Sequence, residues 1–168
     1  NANVTTGLGF VRFDAVSNLV MGSSTVINSG GGAVLLRAGS ASLQSVISAG
    51  GDISITTSND LTLAVGLSSG AGSVDVMATN GSITMAVNAV IVTDQANVRL
   101  IAYGALTLGL IDTRSISDRA VVGMSQRSAW GQVELWSQSQ NVADSGLTGN
   151  TDIDVYAKSL RIDAVTGL

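Results

Sequence analysis

The chain contains no cysteine, no histidine and no proline, and only 4% of its 168 residues are aromatic. Without cysteine there is no disulfide framework and no thiolate metal site. Without histidine the commonest general base and metal ligand is missing. Charge is also scarce, at 12% of residues, with 8 basic against 12 acidic side chains for a net charge of −4. No polycationic surface exists to collect phosphates, so nucleic acid is not expected as a partner. No apolar run approaches the roughly 20 residues needed to cross a bilayer as a helix. The first residues, Asn1-Ala2-Asn3-Val4, lack an initiator Met and a basic-then-apolar leader pattern, so the chain reads as an excised or processed segment of a longer protein.

What is present is Val, Ile, Leu and Ala interspersed with Ser, Thr, Asn and 20 Gly. A 45% hydrophobic chain is too apolar to be disordered, and this mixture favours short strands and tight turns over helices. At this length it reads as one domain, residues 1–168, with room for a substantial core.

The strands repeat. Alternating apolar residues closed by a small one recur at Val11-Phe13-Ala15, Val34-Leu36-Ala38, Ile53-Ile55-Thr57, Val74-Val76-Ala78, Val98-Leu100-Ala102, Val133-Leu135-Ser137 and Ile153-Val155-Ala157. Period two marks a strand with one buried face. A second strand is expected to start at Leu19, Leu43, Leu61, Ile83, Leu106, Val142 and Leu160, after turn residues such as Asn80-Gly81 that suit sharp corners. A looser third apolar segment follows at Val26-Ile27, Val46-Ile47, Val65-Leu67, Val90-Val92 and Val165. A unit of about 20 residues with two or three short strands cannot bury its own apolar face, whereas stacked units can. The pattern predicts an all-β, right-handed parallel β-helix (β-solenoid) of about seven rounds of about 20 residues, with one inserted loop at residues 112–131. An antiparallel sandwich would not explain the return of the small third residue.

Segments such as Gly51-Asp52-Ile53-Ser54-Ile55-Thr56-Thr57, followed by Asp60-Leu61-Thr62-Leu63, and Gly81-Ser82-Ile83-Thr84-Met85 resemble the degenerate repeats of filamentous-haemagglutinin-like exoproteins and autotransporter passenger stalks. The resemblance covers about residues 11–110 and 132–168. It implies an extracellular or bacterial cell-surface location and a structural or adhesive rod, in contact with other parts of its parent chain. The irregular period and the long fifth step depart from that pattern.

Outward positions are left to carry function. One expected ladder, Arg12, Leu35, Ser54, Asp75, Arg99, Glu134 and Asp154, ends with two carboxylates side by side. Either a neighbouring cation relieves them or they form a weak Ca²⁺ site, the one cofactor the sequence suggests. The next outward ladder, Asp14, Arg37, Thr56, Met77, Ile101, Trp136 and Tyr156, ends with an aromatic pair on which a sugar ring or partner protein could pack, unless other parts of the chain cover it. The insertion carries Arg114, Arg119, Arg127 and Trp130, and Val121, Val122 and Met124 suggest that it packs back as a hairpin or short helix. Trp136, Tyr156, Trp130, Arg127, Arg119 and Arg114 are therefore the candidate ligand-binding residues, with an acidic glycan or a host or cell-surface protein as the ligand class. Asn150-Thr151-Asp152-Ile153-Asp154 resembles the acidic motif of polygalacturonases. The missing histidine, and Ile153 where that family places glycine, speak against catalysis, and no enzymatic activity is expected. Thr62, Thr84 and Thr107 make a single threonine row, which β-branched preference explains. A carbohydrate-binding module and an extracellular filament joined end to end remain the alternatives to the rod.

Overall fold

The computed structural model describes residues 2–120, 127–146 and 153–166. The chain is a parallel β-solenoid of about six turns. Each turn contributes a strand to a first face and then strands to a second and a third. The first face is a seven-stranded parallel sheet made of Val11–Asp14, Val34–Ala38, Ile53–Thr57, Val74–Ala78, Val98–Ala102, Gln132–Ser137 and Ser159–Ala164. The second and third faces form one eleven-stranded sheet. They merge where Ser40–Ile47 and Leu61–Gly70 run through both, with a register irregularity between Leu43 and Ser45.

Among the described residues the pairings are parallel and, apart from shifts between Leu43 and Ser45 and between Val92 and Thr93, in register, so like side chains stack. On the first face Phe13, Leu36, Ile55, Val76, Leu100, Leu135 and Ile162 form one inward ladder. On the second, Leu19, Ala41, Leu61, Ile83, Leu106 and Val142 form another. On the third, Val4, Ile27, Val46, Leu67, Ile91, Ile111 and Val155 do the same. The middle of each ladder is wholly buried: Leu36, Ile55, Leu61, Ile83, Leu100 and Leu106 expose 1% or less. Each such side chain contributes roughly 1.5–3 kcal/mol by burial.

A second feature closes each turn. Between the third face and the next first-face strand lies a buried hydroxyl: Ser29, Ser48, Ser69, Thr93 or Thr113, each at most 1% exposed. The Ser29 and Ser69 hydroxyls donate to the carbonyls of Gly32 and Gly72, three residues on. Thr6 and Thr93 do the same to Gly9 and Ala96, both at 2.7 Å. Ser48 instead reaches back 2.9 Å to the Gly32 carbonyl and accepts from the Gly51 amide at 2.8 Å. The closing residue is small because its backbone presses on the turn below: a Cβ on Gly72 would lie 2.2 Å from the Gly51 carbonyl oxygen. Gly66 is also constrained, at φ +146° with a would-be Cβ 2.0 Å from the Val90 oxygen.

Three expected registers are corrected. The seventh first-face strand is Leu160-Ile162-Ala164, which pairs with Val133-Leu135-Ser137; Ile153-Val155-Ala157 belongs to the third face, where Val155 stacks on Ile111. Both segments alternate, and the hydrogen bonds from the Thr113 amide and hydroxyl to the Tyr156 carbonyl hold the earlier one under the third face. Leu160 is therefore not a second-face anchor, and Ala41, not Leu43, stands opposite Leu61 because Leu43 packs one pair further along, against Leu63. In the third segment Leu67 and Ile91 point inward, whereas Val65 and Val165 are 50% and 67% exposed.

Candidate functional site

The insertion opens inside one of the hydroxyl corners. Asp112 belongs to the third-face strand Leu110–Asp112, and Thr113 takes the corner position. At Thr6, Ser29, Ser69 and Thr93 the hydroxyl and its carbonyl are three residues apart; here Thr113 still donates to the Gly131 carbonyl, at 3.1 Å, across 18 residues. The loop has thus been added without breaking the closure of the turn. It begins with a short helix, Ile116–Arg119, whose N-cap Ser115 accepts from the Asp118 amide at 3.0 Å. Arg119 crosses to the shaft and donates to the carbonyls of Thr93 and Arg114 at 2.9 and 2.8 Å. Residues 121–126, including Val121, Val122 and Met124, lie outside the described residues.

The base of the loop holds an aromatic and charged cluster. Trp130, 4% exposed, donates from Nε1 to Oδ2 of the buried Asp118 at 2.7 Å. Its ring meets Tyr156 edge-on, with centroids 6.4 Å apart. On Tyr156 lies the Arg114 guanidinium, 3.6 Å from the ring centroid, fixed by two hydrogen bonds to Asp112 at 2.9 and 2.7 Å. The Asp112 hydrogen bonds, more than its charge, raise the Arg114 pKa above the usual guanidinium value, while burial opposes them. That stabilisation is fully present below the usual value and is lost only as pH rises through the raised one.

These contacts redistribute the expected ligand-binding residues. Arg114, Arg119 and Trp130 are spent on fixing the insertion. Tyr156 is in the same cluster, and Arg127 opens a short 3₁₀ turn beside it, Arg127–Ala129. Trp136 is elsewhere: it lies on the first face, 42% exposed, opposite Ile101 and Asp163, so it and Tyr156 are not consecutive rungs of one ladder. The expected Glu134–Asp154 pair is likewise not formed. Arg161 stands opposite Glu134, with Nη1 3.3 Å from Oε1, whereas Asp154 lies on the third face and its carbonyl accepts from the Ile111 amide at 2.8 Å. Among the described residues no three Asp or Glu side chains gather in a way that could hold a metal ion. Of the acidic string at residues 150–154, the first three lie outside the described residues.

What the sequence reading missed is a shallow cavity of about 490 Å³ on the outward side of the first face. Asp75, Arg99, Glu134 and Arg161 cross it on four successive turns. Arg99 pairs with Asp75 through two hydrogen bonds, at 3.0 and 2.6 Å, and these raise its pKa above the usual value. The first three charges of this column were readable as one ladder; the fourth required the corrected register.

Comparisons with protein-family models, with curated proteins and with solved structures found no match to this chain. Its class is therefore defined by its own architecture, a parallel β-solenoid with one inserted loop.

Proposed function

We propose that the chain is a structural and adhesive rod segment of a secreted or surface-anchored bacterial protein, a stiff shaft that spaces and displays binding elements. The observation that carries this reading is the unbroken parallel pairing of the seven first-face strands, from Val11–Asp14 to Ser159–Ala164. At about 4.8 Å per turn the sheet extends roughly 30 Å along the axis. Parallel stacking lets such a shaft lengthen by adding turns without changing its cross-section. The resemblance of its repeats to those of surface exoproteins supplies the bacterial and extracellular setting.

A filament built by end-to-end contact is the weaker reading. The first and last strands of the first face carry the same outward ion pair, Arg12 with Asp14 and Arg161 with Asp163. Continuing the register from one copy into the next would stack arginine on arginine and aspartate on aspartate, which is unfavourable. The rod reading is tested by dyes placed at Thr5 and Asp163, with the distance between them followed by energy transfer while the ends are pulled. A distance that holds under load supports a rod. A chain that extends smoothly at low load is no spacer.

A further inference from the structure

We propose that the outward side of the first face, over its last four turns, binds an uncharged oligosaccharide laid along the solenoid axis. The inference gives the adhesive part of the rod reading a ligand class and rests on it in that respect; the shaft itself does not depend on it.

Two columns run side by side on this surface. The first is the charged column, Asp75, Arg99, Glu134 and Arg161, lining the cavity. Its four charges cancel, and Asp163 beside it adds one negative charge: Asp75 is held by Arg99 at 2.6 Å, and Arg161 lies between Glu134 at 3.3 Å and Asp163 at 2.6 Å. Around it the strand starts contribute hydroxyl and amide side chains from Ser73, Asn97, Gln132 and Ser159. The second column sits two residues along each strand and reads Met77, Ile101, Trp136 and, on the last turn, Asp163. Ile101 points outward yet is only 7% exposed, so the apolar part of this column is packed, and Trp136 is its exposed aromatic member. Tyr103, 50% exposed, follows two residues after Ile101.

A polar column beside an apolar, aromatic one is the pairing that a sugar ring needs. Its axial and equatorial C–H groups cover an apolar ring, and its hydroxyls both donate and accept. Paired carboxylates and guanidiniums offer acceptors and donors in alternation every 4.8 Å or so along the axis. Because the four charges cancel, a polyanion gains no net attraction and must displace existing partners, whereas a neutral polyhydroxyl chain can bridge the pairs without breaking them. The cavity volume falls within the range of roughly 300–1,000 Å³ usual for ligand sites. Its lining residues come from four successive turns, which suits a chain ligand over a compact one. The expected acidic-glycan site at the insertion is a different place, and its arginines are already engaged.

The test is an array of immobilised uncharged, sialylated and sulfated glycans probed with the whole chain, then calorimetric titration with the strongest uncharged glycan. Retention of uncharged glycans, little changed by raising the salt concentration, is the expected result. Trp136→Ala should weaken that binding at least tenfold, Trp136→Phe should keep most of it, and Thr84→Ala on the second face should leave it unchanged. Arg161→Gln, at a side chain 69% exposed, should also weaken it without touching the core. Far-ultraviolet circular dichroism checks that each variant is folded. The proposal is overturned by retention of sulfated or sialylated glycans alone, by no retention of any glycan, or by folded Trp136 and Arg161 variants that bind as well as the parent. Loss of glycan binding with an intact end-to-end distance under load defeats this inference and leaves the rod; a compliant chain that binds glycan defeats the rod.

Discussion

The turns before the insertion and those after it are built from the same parts with different margins. From Ser29 up to Asp112 each turn is closed by a buried hydroxyl three residues from a small residue, and the inward side chains of the middle turns have a neighbour above and below. After Gly131 the pattern thins. The last corner is Ala157-Lys158 with no hydroxyl, the exposed Asp144 stands opposite the buried Leu108 of the turn before, and Leu160 is 47% exposed. The later turns lean on the insertion instead, through Thr113, Trp130 and Arg114. The shaft is thus held by repetition, and its far end by a single set of specific contacts.

The largest test of that contrast compares the first face at two levels. Leu100→Ala, in the wholly buried middle, should cost about 2–5 kcal/mol in denaturant unfolding. Leu160→Ala, in the last first-face strand and half exposed, should cost under about 1 kcal/mol. Equal losses would mean that the last turn is as well packed as the shaft.

Next come the corners. Thr113→Val removes a buried hydroxyl whose one proton is shared between the Gly131 and Tyr156 carbonyls and should cost about 1–3 kcal/mol, whereas Ser69→Ala removes a donor to a single carbonyl and should cost about 1 kcal/mol. The stability difference between these variants measures how far the far end depends on one residue. Trp130→Phe strips the Nε1 donor from buried Asp118, for about 1–3 kcal/mol, and should speed protease cleavage within the insertion while the shaft stays intact. Cleavage that spreads at once into residues before Asp112 would show that the two regions unfold together. The smallest effect is expected at Arg99→Gln. Its bond to Asp75 is half exposed and should be worth about 0–1 kcal/mol, less in high salt.

The strands were legible because each carries its own period-two signature, and the first five first-face registers follow from it. Registry beyond the insertion was not. Ile153-Val155-Ala157 and Leu160-Ile162-Ala164 have the same alternation, and the shorter spacing from Val133 favoured the wrong one. Period two reports which side of a strand is buried and nothing about which sheet it joins. The corner would have helped: Ser29-Gly30-Gly31-Gly32, Ser48-Ala49-Gly50-Gly51, Ser69-Gly70-Ala71-Gly72 and Thr93-Asp94-Gln95-Ala96 share a hydroxyl followed three residues later by a small residue. Followed to Thr113 and Gly131, that signal places the insertion within one corner and the next strand at Gln132. The candidate site was lost with the register. Trp136 was correctly read as outward, but its supposed partner Tyr156 lies on another face, and Arg161, which completes the charged column, had been assigned to the second strand.

The central claim is that Ser159–Ala164 adds the seventh strand to the first face. It can be read directly by cross-linking, since the chain has no cysteine of its own. Parallel neighbours lie within the Cα separation of about 4.4–6.8 Å that a disulfide spans. The double variant Glu134→Cys with Arg161→Cys should oxidise readily to one intramolecular bridge, while Glu134→Cys with Asp154→Cys should stay reduced under the same conditions. A bridge in the second variant and none in the first would contradict the register, and with it the charged column on the first face.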